Sequence, residues 1–360
     1  YNVVKHLDII KRPRWWLILC IIPVINLLII PVIWVELVKR FNHNSRFDRL
    51  LVILTLGLYI FYISYISKKT KIVEEISFSG FERSLGSFIF AIVIATIVHN
   101  YFLQPFVIPT GSLEKTLRVG DFLLVSKFHY GARVPSTVIT FPMVHDTIPI
   151  IKTRSYLKSP QLPYIRIPGF QEIKNNDIVV FNYPSEIEKP IDLKTYYVKR
   201  CVALPGDTIK IVNGDIFINN NLKDQLVNQQ NRYFVRTKTN INPRIFKKYD
   251  IWEYTKVSNG YYMNTKQENA DAIEKESFID DVELYRMDKS LSSIRIFPDK
   301  NKFPWNTDYF GPLLVPYKGL KINLNEENTI KYSSVIKDFE GNDNVKVENN
   351  NIFINNKKVE

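Results

Sequence analysis

Apolar residues crowd the first hundred positions of this chain and thin into short alternating runs from residue 104 onward. Trp15 to Val35 is twenty-one residues without Asp, Glu, Lys or Arg, Leu50 to Ile66 is seventeen, and Leu85 to Leu103 is nineteen. A helix rises about 1.5 Å per residue and a hydrocarbon core is about 30 Å thick, so each run reads as a transmembrane candidate. The pattern predicts a membrane region over 1–103 with three transmembrane helices, at about 15–35, 50–66 and 85–103. Pro23, Asn26 and Pro31 predict that the first is kinked or partly re-entrant, because proline removes a backbone bond that lipid cannot replace. None ends in the small-residue cleavage pattern of a removable signal sequence.

Charge then orients these runs. With three successive crossings, the N-terminal flank and the 67–84 loop share one side with eight cations: Lys5, Lys11, Arg12, Arg14, Lys68, Lys69, Lys71 and Arg83. The other loop holds four, Lys39, Arg40, Arg46 and Arg49. The larger count marks the cytoplasmic side, so everything after Leu103 is expected outside the membrane. The net charge of 48 − 36 = +12 fits nucleic acid, an anionic membrane surface or a chain cut from a larger whole. The expected export disfavours nucleic acid. A composition of 46% hydrophobic residues averages two unlike parts and excludes a single soluble domain. Cys20 and Cys201 are too few for a disulfide framework or a cysteine metal site. The chain opens at Tyr1 rather than Met and stops in mid-pattern, which reads as a fragment at both ends.

Beyond residue 104, strands are expected at Phe122–Val125, Asp177–Phe181, Tyr196–Val202 and Thr208–Val212, each a Val-, Ile-, Phe- or Tyr-rich run between turn residues. Lys210-Ile-Val-Asn-Gly-Asp-Ile-Phe-Ile-Asn-Asn220 nearly recurs as Lys346-Val-Glu-Asn-Asn-Asn-Ile-Phe-Ile-Asn-Asn356, and both read as hairpins about Asn-containing turns. The expected fold is therefore a membrane-helix front followed by a mostly antiparallel β catalytic core over 104–220 and 345–360. Residues 221–344, mixed in pattern and rich in Asn, Lys and aromatics, read as an α+β insertion or cap.

Chemistry concentrates in two stretches. Shortly past the third run lies Pro109-Thr-Gly-Ser-Leu-Glu-Lys-Thr-Leu117, an irregular segment in which Ser112, nine residues beyond Leu103, is exposed as a nucleophile must be. The second is Tyr196-Tyr-Val-Lys-Arg-Cys-Val-Ala-Leu-Pro-Gly-Asp-Thr208, where period two puts Lys199 with Tyr197 and Cys201, and Arg200 with Val198 and Val202.

Together with Gly120-Asp121, Phe122-Leu-Leu-Val-Ser-Lys127 and Asn176-Asp-Ile-Val-Val-Phe181, these stretches resemble the type I signal peptidases, membrane-bound Ser/Lys endopeptidases, over roughly residues 100–220. The resemblance implies the family's coiled β-sheet fold, with Ser112 as nucleophile and Lys199 as general base. Burial against apolar groups lowers a lysine's pKa from about 10.4, which suits that role. It implies an oxyanion site from the Ser112 N–H and the Thr110 hydroxyl, although Thr110 has the alternative of capping a turn. It also implies a groove for small residues walled by Phe106, Ile108, Leu113, Leu117, Tyr197 and Val198, any of which could equally be core.

The implied activity is removal of signal peptides from exported preproteins after a small-X-small sequence, without cofactor. The implied partners are those preproteins and the lipid bilayer, with neither nucleic acid nor metal. The implied location is the bacterial inner membrane, multi-pass, with the catalytic domain on the periplasmic side. Leu113 replaces the family's methionine and Lys115 its proline, and its Gly-Asp-Asn-Arg motif is expected beyond Glu360. Self-cleaving repressor-type relatives would want a DNA-binding domain and no spans. The remaining rival is a membrane-anchored binding module on an incomplete protease fold. His6, His43, His99, His129 and His145 form no triad pattern.

Overall fold

The computed structural model describes residues 2–67, 72–224, 228–293, 296–340, 342 and 344–359. Lys68, Lys69 and Lys71 of the predicted cytoplasmic loop, and Glu360, lie outside the described residues. Two compact units result: residues 1–107, 122–172 and 180–198 form the first, and residues 108–121, 173–179 and 199–360 the second.

The first unit begins with six helices, α1 (Asn2–Ile9), α2 (Trp16–Ile21), α3 (Asn26–Arg40), α4 (Arg46–Leu54), α5 (Tyr59–Tyr65) and α6 (Gly80–Ile97). Helix α6 starts at a capping box in which Ser79 and Glu82 satisfy each other's backbone N–H groups. It runs on through a π-helical turn at Val98–Phe102, giving a 23-residue apolar helix, Gly80–Phe102, long enough to cross a membrane. Among the described residues no other helix meets that length. The first predicted span breaks between α2 and α3, where Val24 takes φ 71°, and the second between α4 and α5, where Leu56 and Gly57 take φ 50° and 87°. Each of these two apolar runs is thus a pair of short helices joined by a turn, which for the first agrees with the expected kink.

Three successive crossings are not confirmed, and the ends of the runs lie together. Arg12 donates to both carboxylate oxygens of Glu36, at 2.9 and 2.6 Å. Lys39 donates to Glu82 at 2.8 Å and to the Ser77 carbonyl at 2.9 Å. Arg40 donates to the carbonyls of Ile9 and Glu74, at 2.9 and 2.6 Å, and His43 and Ser67 are hydrogen-bonded at 2.9 Å across the ends of the second run. Residues 9–12, 36–49, Ser67 and 73–82 therefore gather in one polar cluster at the start of α6, whereas three crossings would put 36–49 on the opposite side from the others. The physical cause is the pair of left-handed turns, which fold each run back on itself. Leu7, Ile10, Leu19, Ile25, Ile29, Ile33, Leu37 and Val93 form the apolar core above this cluster.

The same unit continues with β1 (Leu103–Val107) and β2 (Phe122–Ser126), paired antiparallel from Leu103 opposite Ser126 to Val107 opposite Phe122. Residues 133–166 form a loose ribbon of isolated bridges, with the Asp192 carboxylate accepting from the Thr137 N–H at 2.9 Å and from the Ser136 and Thr137 hydroxyls. Strands β3 (Ile178–Asn182) and β4 (Tyr196–Arg200) pair with each other, and the division between units passes through both.

In the second unit, β5 (Thr208–Val212), β6 (Asp215–Ile218) and β7 (Asn221–Leu222) form a meander. Next come β8 (Asn231–Arg236), α7 (Pro243–Lys248), β9 (Glu253–Val257), β10 (Gly260–Thr265), α8 (Gln267–Glu274) and β11 (Asp281–Leu284). These strands make a sheet of order β11-β8-β10-β9 around a core of Tyr233, Val235, Phe246, Ile251, Tyr261, Met263 and Ile273. Strand β12 (Tyr309–Leu314) returns to pair with β5, so the first sheet has order β12-β5-β6-β7. After α9 (Glu326–Asp338), strands β13 (Val345–Glu348), β14 (Asn351–Ile354) and β15 (Lys357–Val359) form a second meander.

The strand expectations and both hairpins thus agree with the structure, and each hairpin extends to three strands. All four meander turns have two residues at positive φ: Asn213-Gly214, Asn219-Asn220, Asn349-Asn350 and Asn355-Asn356. That is the geometry whose twist matches paired strands, and asparagine tolerates it.

Glu82 caps α6 while neutralising Lys39, whose side chain is 2% exposed. Glu82→Ala should lower the unfolding free energy of the detergent-solubilised protein by about 3 kcal/mol, because the buried ammonium loses its partner. Arg14→Ala, which breaks a pair exposed at 75% and 47%, should change it by less than about 1 kcal/mol.

Candidate active site

Residues 108–121 form a loop closed at its base by the backbone, with Ile108 N–H on the Asp121 carbonyl at 3.0 Å and Gly120 N–H on the Ile108 carbonyl at 2.9 Å. The Asp121 carboxylate also accepts from the Arg118 N–H at 2.8 Å. At the far end, Gly111–Leu113 make one 3₁₀ turn, closed by Glu114 N–H on the Gly111 carbonyl at 2.8 Å. The Leu117 N–H on the Leu113 carbonyl, also 2.8 Å, continues the winding. This leaves Ser112 exposed on a turn whose backbone is committed on both sides.

Lys199 comes from the end of β4, half-buried, and its Nζ donates a hydrogen bond to Ser112 Oγ. The two residues expected to carry the chemistry are therefore in direct contact across 87 positions of sequence, both within the second unit. Thr110 precedes the turn in extended conformation, φ −138° and ψ 152°, and its side chain makes no capping bond to it. The turn-capping alternative thus has no bond to support it.

Arg200 projects from the opposite face of β4, as period two requires. It donates to the Asn176 carbonyl at 2.9 Å and to the Thr116 hydroxyl at 3.3 Å, so the residue after the lysine grips the far end of the serine loop. Beyond it, the strand leaves through the Leu204–Asp207 turn. There the Asp207 carboxylate accepts from the Leu204 N–H at 2.8 Å and from the Asn219 amide at 2.9 Å. The Leu204 N–H first, and then Asn219, hold the Asp207 carboxyl below its ordinary value.

The expected groove positions divide between the units. Phe106, Tyr197 and Val198 lie in the first, where Phe106 meets Tyr196 edge-on at 4.9 Å and Tyr197 stacks on Tyr183 at 4.4 Å. Ile108, Leu113 and Leu117 lie in the second, Ile108 buried and the two leucines half-buried.

Sequence reasoning missed the partners of the serine loop in the 230–264 region. Gln230 donates to the Glu114 carbonyl at 3.1 Å, and Lys115 bonds both the carbonyl and the carboxylate of Asp250. The Glu253 carboxylate occupies the space above Gly111, where a Cβ would come within 2.3 Å of its Oε1. More than a hundred residues separate these partners, and no local pattern marks them.

A family model described as Signal peptidase, peptidase S26 matches residues 82–274, more than half of the chain. The chain belongs to the signal peptidase S26 family. The S26 match begins inside α6 and runs to the end of α8, so it takes in the serine loop, β4 and strands β8, β9 and β10. A second model, of a family of unknown function, matches residues 1–72, the part that holds the two folded-back apolar runs. Signal peptidase I of Rickettsia massiliae is 32% identical over 138 residues, which is 38% of this chain and 43% of that protein. Signal peptidase I of Pseudomonas aeruginosa is 34% identical over 137 residues, 36% and 37% of the two chains. That of Rickettsia canadensis is 27% identical over 186 residues, 50% and 61%. The S26 chain thus spans about two-fifths to three-fifths of the length of these relatives.

The Asp207 turn sets a pH test. A carboxyl depressed on folding contributes stability that is present above its unfolded pKa, about 3.8, and lost as pH falls through the lower folded value. Asp207→Ala should therefore lower the melting temperature at pH 6 and flatten its decline below pH 4, as followed by scanning calorimetry.

Proposed function

We propose that the chain is a membrane-bound signal peptidase that removes signal peptides from exported preproteins after a small-X-small sequence. The hydrogen bond between Lys199 Nζ and Ser112 Oγ supports this reading most directly. Once its ammonium has given up a proton, Lys199 accepts the Ser112 hydroxyl proton as Oγ attacks the scissile carbonyl. The tetrahedral oxyanion then takes hydrogen bonds from the Ser112 N–H and the Thr110 hydroxyl. Collapse expels the amine of the mature chain, which takes a proton from Lys199, and leaves an acyl-enzyme on Ser112. Water activated by Lys199 hydrolyses that ester. Ile108, Leu113 and Leu117 of the second unit supply apolar subsite walls, which accept methyl groups and exclude charge or bulk.

In this reading α6 is the membrane crossing, in the bacterial inner membrane, with the catalytic part on the periplasmic side. Residues 2–66 are re-entrant hairpins held on the cytoplasmic side. The shared polar cluster of Arg12, Glu36, Lys39, Arg40 and Glu82 supports that arrangement, because it gathers Arg12, Lys39, Arg40 and Arg49 on one side, the one the positive-inside rule makes cytoplasmic.

In full-length, membrane-embedded protein, Ser112→Ala and Lys199→Met should each reduce precursor cleavage by at least about a thousandfold. Cleavage at the wild-type rate by either variant ends the dyad reading. The topology has its own test in Cys20→Ser, Cys201→Ser protein probed in intact cells with outer-membrane-permeant, inner-membrane-impermeant maleimide. Phe170→Cys should label, and Asn44→Cys should label only after lysis. External labelling of Asn44→Cys would restore the three-crossing order.

A further inference from the structure

The serine loop is bound along its length by a part of the chain that has its own hydrophobic core. Asp250 ends the turn after α7, with its N–H on the Lys247 carbonyl at 3.0 Å and the Ile251 N–H on the Phe246 carbonyl at 2.8 Å. Phe246 and Ile251 are fully buried in the core of the β8–β11 sheet, so the position of Asp250 is set by packing. Its carboxylate also accepts from the Trp252 indole at 2.6 Å, which orients it toward Lys115.

Lys115 is in the left-handed region at φ 72°, a conformation that costs a non-glycine residue about 1–2 kcal/mol. Its side chain is 5% exposed and ends on the carbonyl and carboxylate of Asp250. Gln230 on the Glu114 carbonyl and Glu253 over Gly111 hold two further positions of the loop, and Asn264 fixes the Glu253 carboxylate at 2.9 Å. Three sites, at 111, 114 and 115, are thus held against one packed body on either side of the residue that carries the hydroxyl.

We propose that the β8–β11 sheet is a positioning element of the active site, with the Lys115–Asp250 pair as its latch. The latch touches no reacting atom. It acts through Ser112, holding the turn so that Oγ stays on Lys199 Nζ. The proposal rests on the Ser112/Lys199 reading for its catalytic consequence, but the latch itself has a readout that needs no activity.

In full-length protein in detergent micelles, Lys115→Met and Asp250→Asn should each lower kcat on a small-X-small peptide by about ten- to a hundredfold with KM within about twofold, since misplacement by about 1 Å costs that much. The reversed pair, Lys115→Asp with Asp250→Lys, should recover most of the loss. Amide exchange over residues 111–117 should quicken about tenfold in the single variants while the buried amides of β8 and β10 keep their protection, which separates loop release from unfolding. Wild-type kcat together with unchanged exchange at 111–117 in both single variants would overturn the latch. Faster exchange in an enzyme whose wild type does not cleave would uphold the latch and count against the dyad reading alone.

Discussion

The second unit is organised around one requirement, that a short irregular loop hold a hydroxyl against an amine. Ordering each backbone residue costs about 1–2 kcal/mol, and residues 110–117 offset it with no more than one 3₁₀ turn and the bonds to the Leu113 carbonyl that follow it. The loop is therefore held from three directions. Its base is closed by the backbone pairing of Ile108 with Gly120 and Asp121. Thr116 is held by Arg200, the neighbour of the lysine it must face, and Lys115 by Asp250. Consecutive residues of β4 thus do opposite jobs, Lys199 reaching Ser112 and Arg200 fixing its loop, and alternation along the strand makes this possible.

The front of the chain answers a different constraint. Apolar runs long enough to cross a bilayer are interrupted by turns, and a turn exposes backbone groups that lipid cannot satisfy. Here the interruptions lie where Val24 and the Leu56-Gly57 pair reverse the chain, and both ends of each run finish among charges. Glu82 ties the arrangement together, since the carboxylate that caps α6 also receives Lys39 and Arg49. A buried ammonium without that carboxylate would be costly, so the folded-back runs and the start of α6 are one structural decision.

Much of this was legible in the sequence where the determinants are local. Alternation over Thr208–Val212 and Asp215–Ile218, separated by Asn213-Gly214, specifies a hairpin by itself, and the strand and turn were found as read. Ser112 and Lys199 were legible through the stretches that resemble the S26 family. What failed to show was non-local or contrary to propensity. Val24 and Leu56 are poor left-handed residues, so nothing in their identity announces a reversal inside an apolar run. Tyr309–Leu314 pairs with β5 from about a hundred residues away, and Lys115 meets Asp250 across 135. Lys115 itself reads as an ordinary surface cation until its side chain is found buried.

The chain topology gives the 231–284 sheet the stiffness a positioning element needs. Its excursion leaves the first sheet at β7 and returns to it at β12, two strands of the same four-stranded sheet. A segment attached at one end could drift from the serine loop without disturbing anything else. Anchored at both ends, it has its reach limited, and moving Asp250 away from Lys115 would mean straining one of two strand pairings or breaking into the core around Phe246 and Ile251. The bulge in the β5–β12 register, between Phe310 and Leu313, lets the returning strand adjust without giving up the pairing at either end. The excursion is thus built as a closed bracket, with Gly111, Glu114 and Lys115 among the groups it holds.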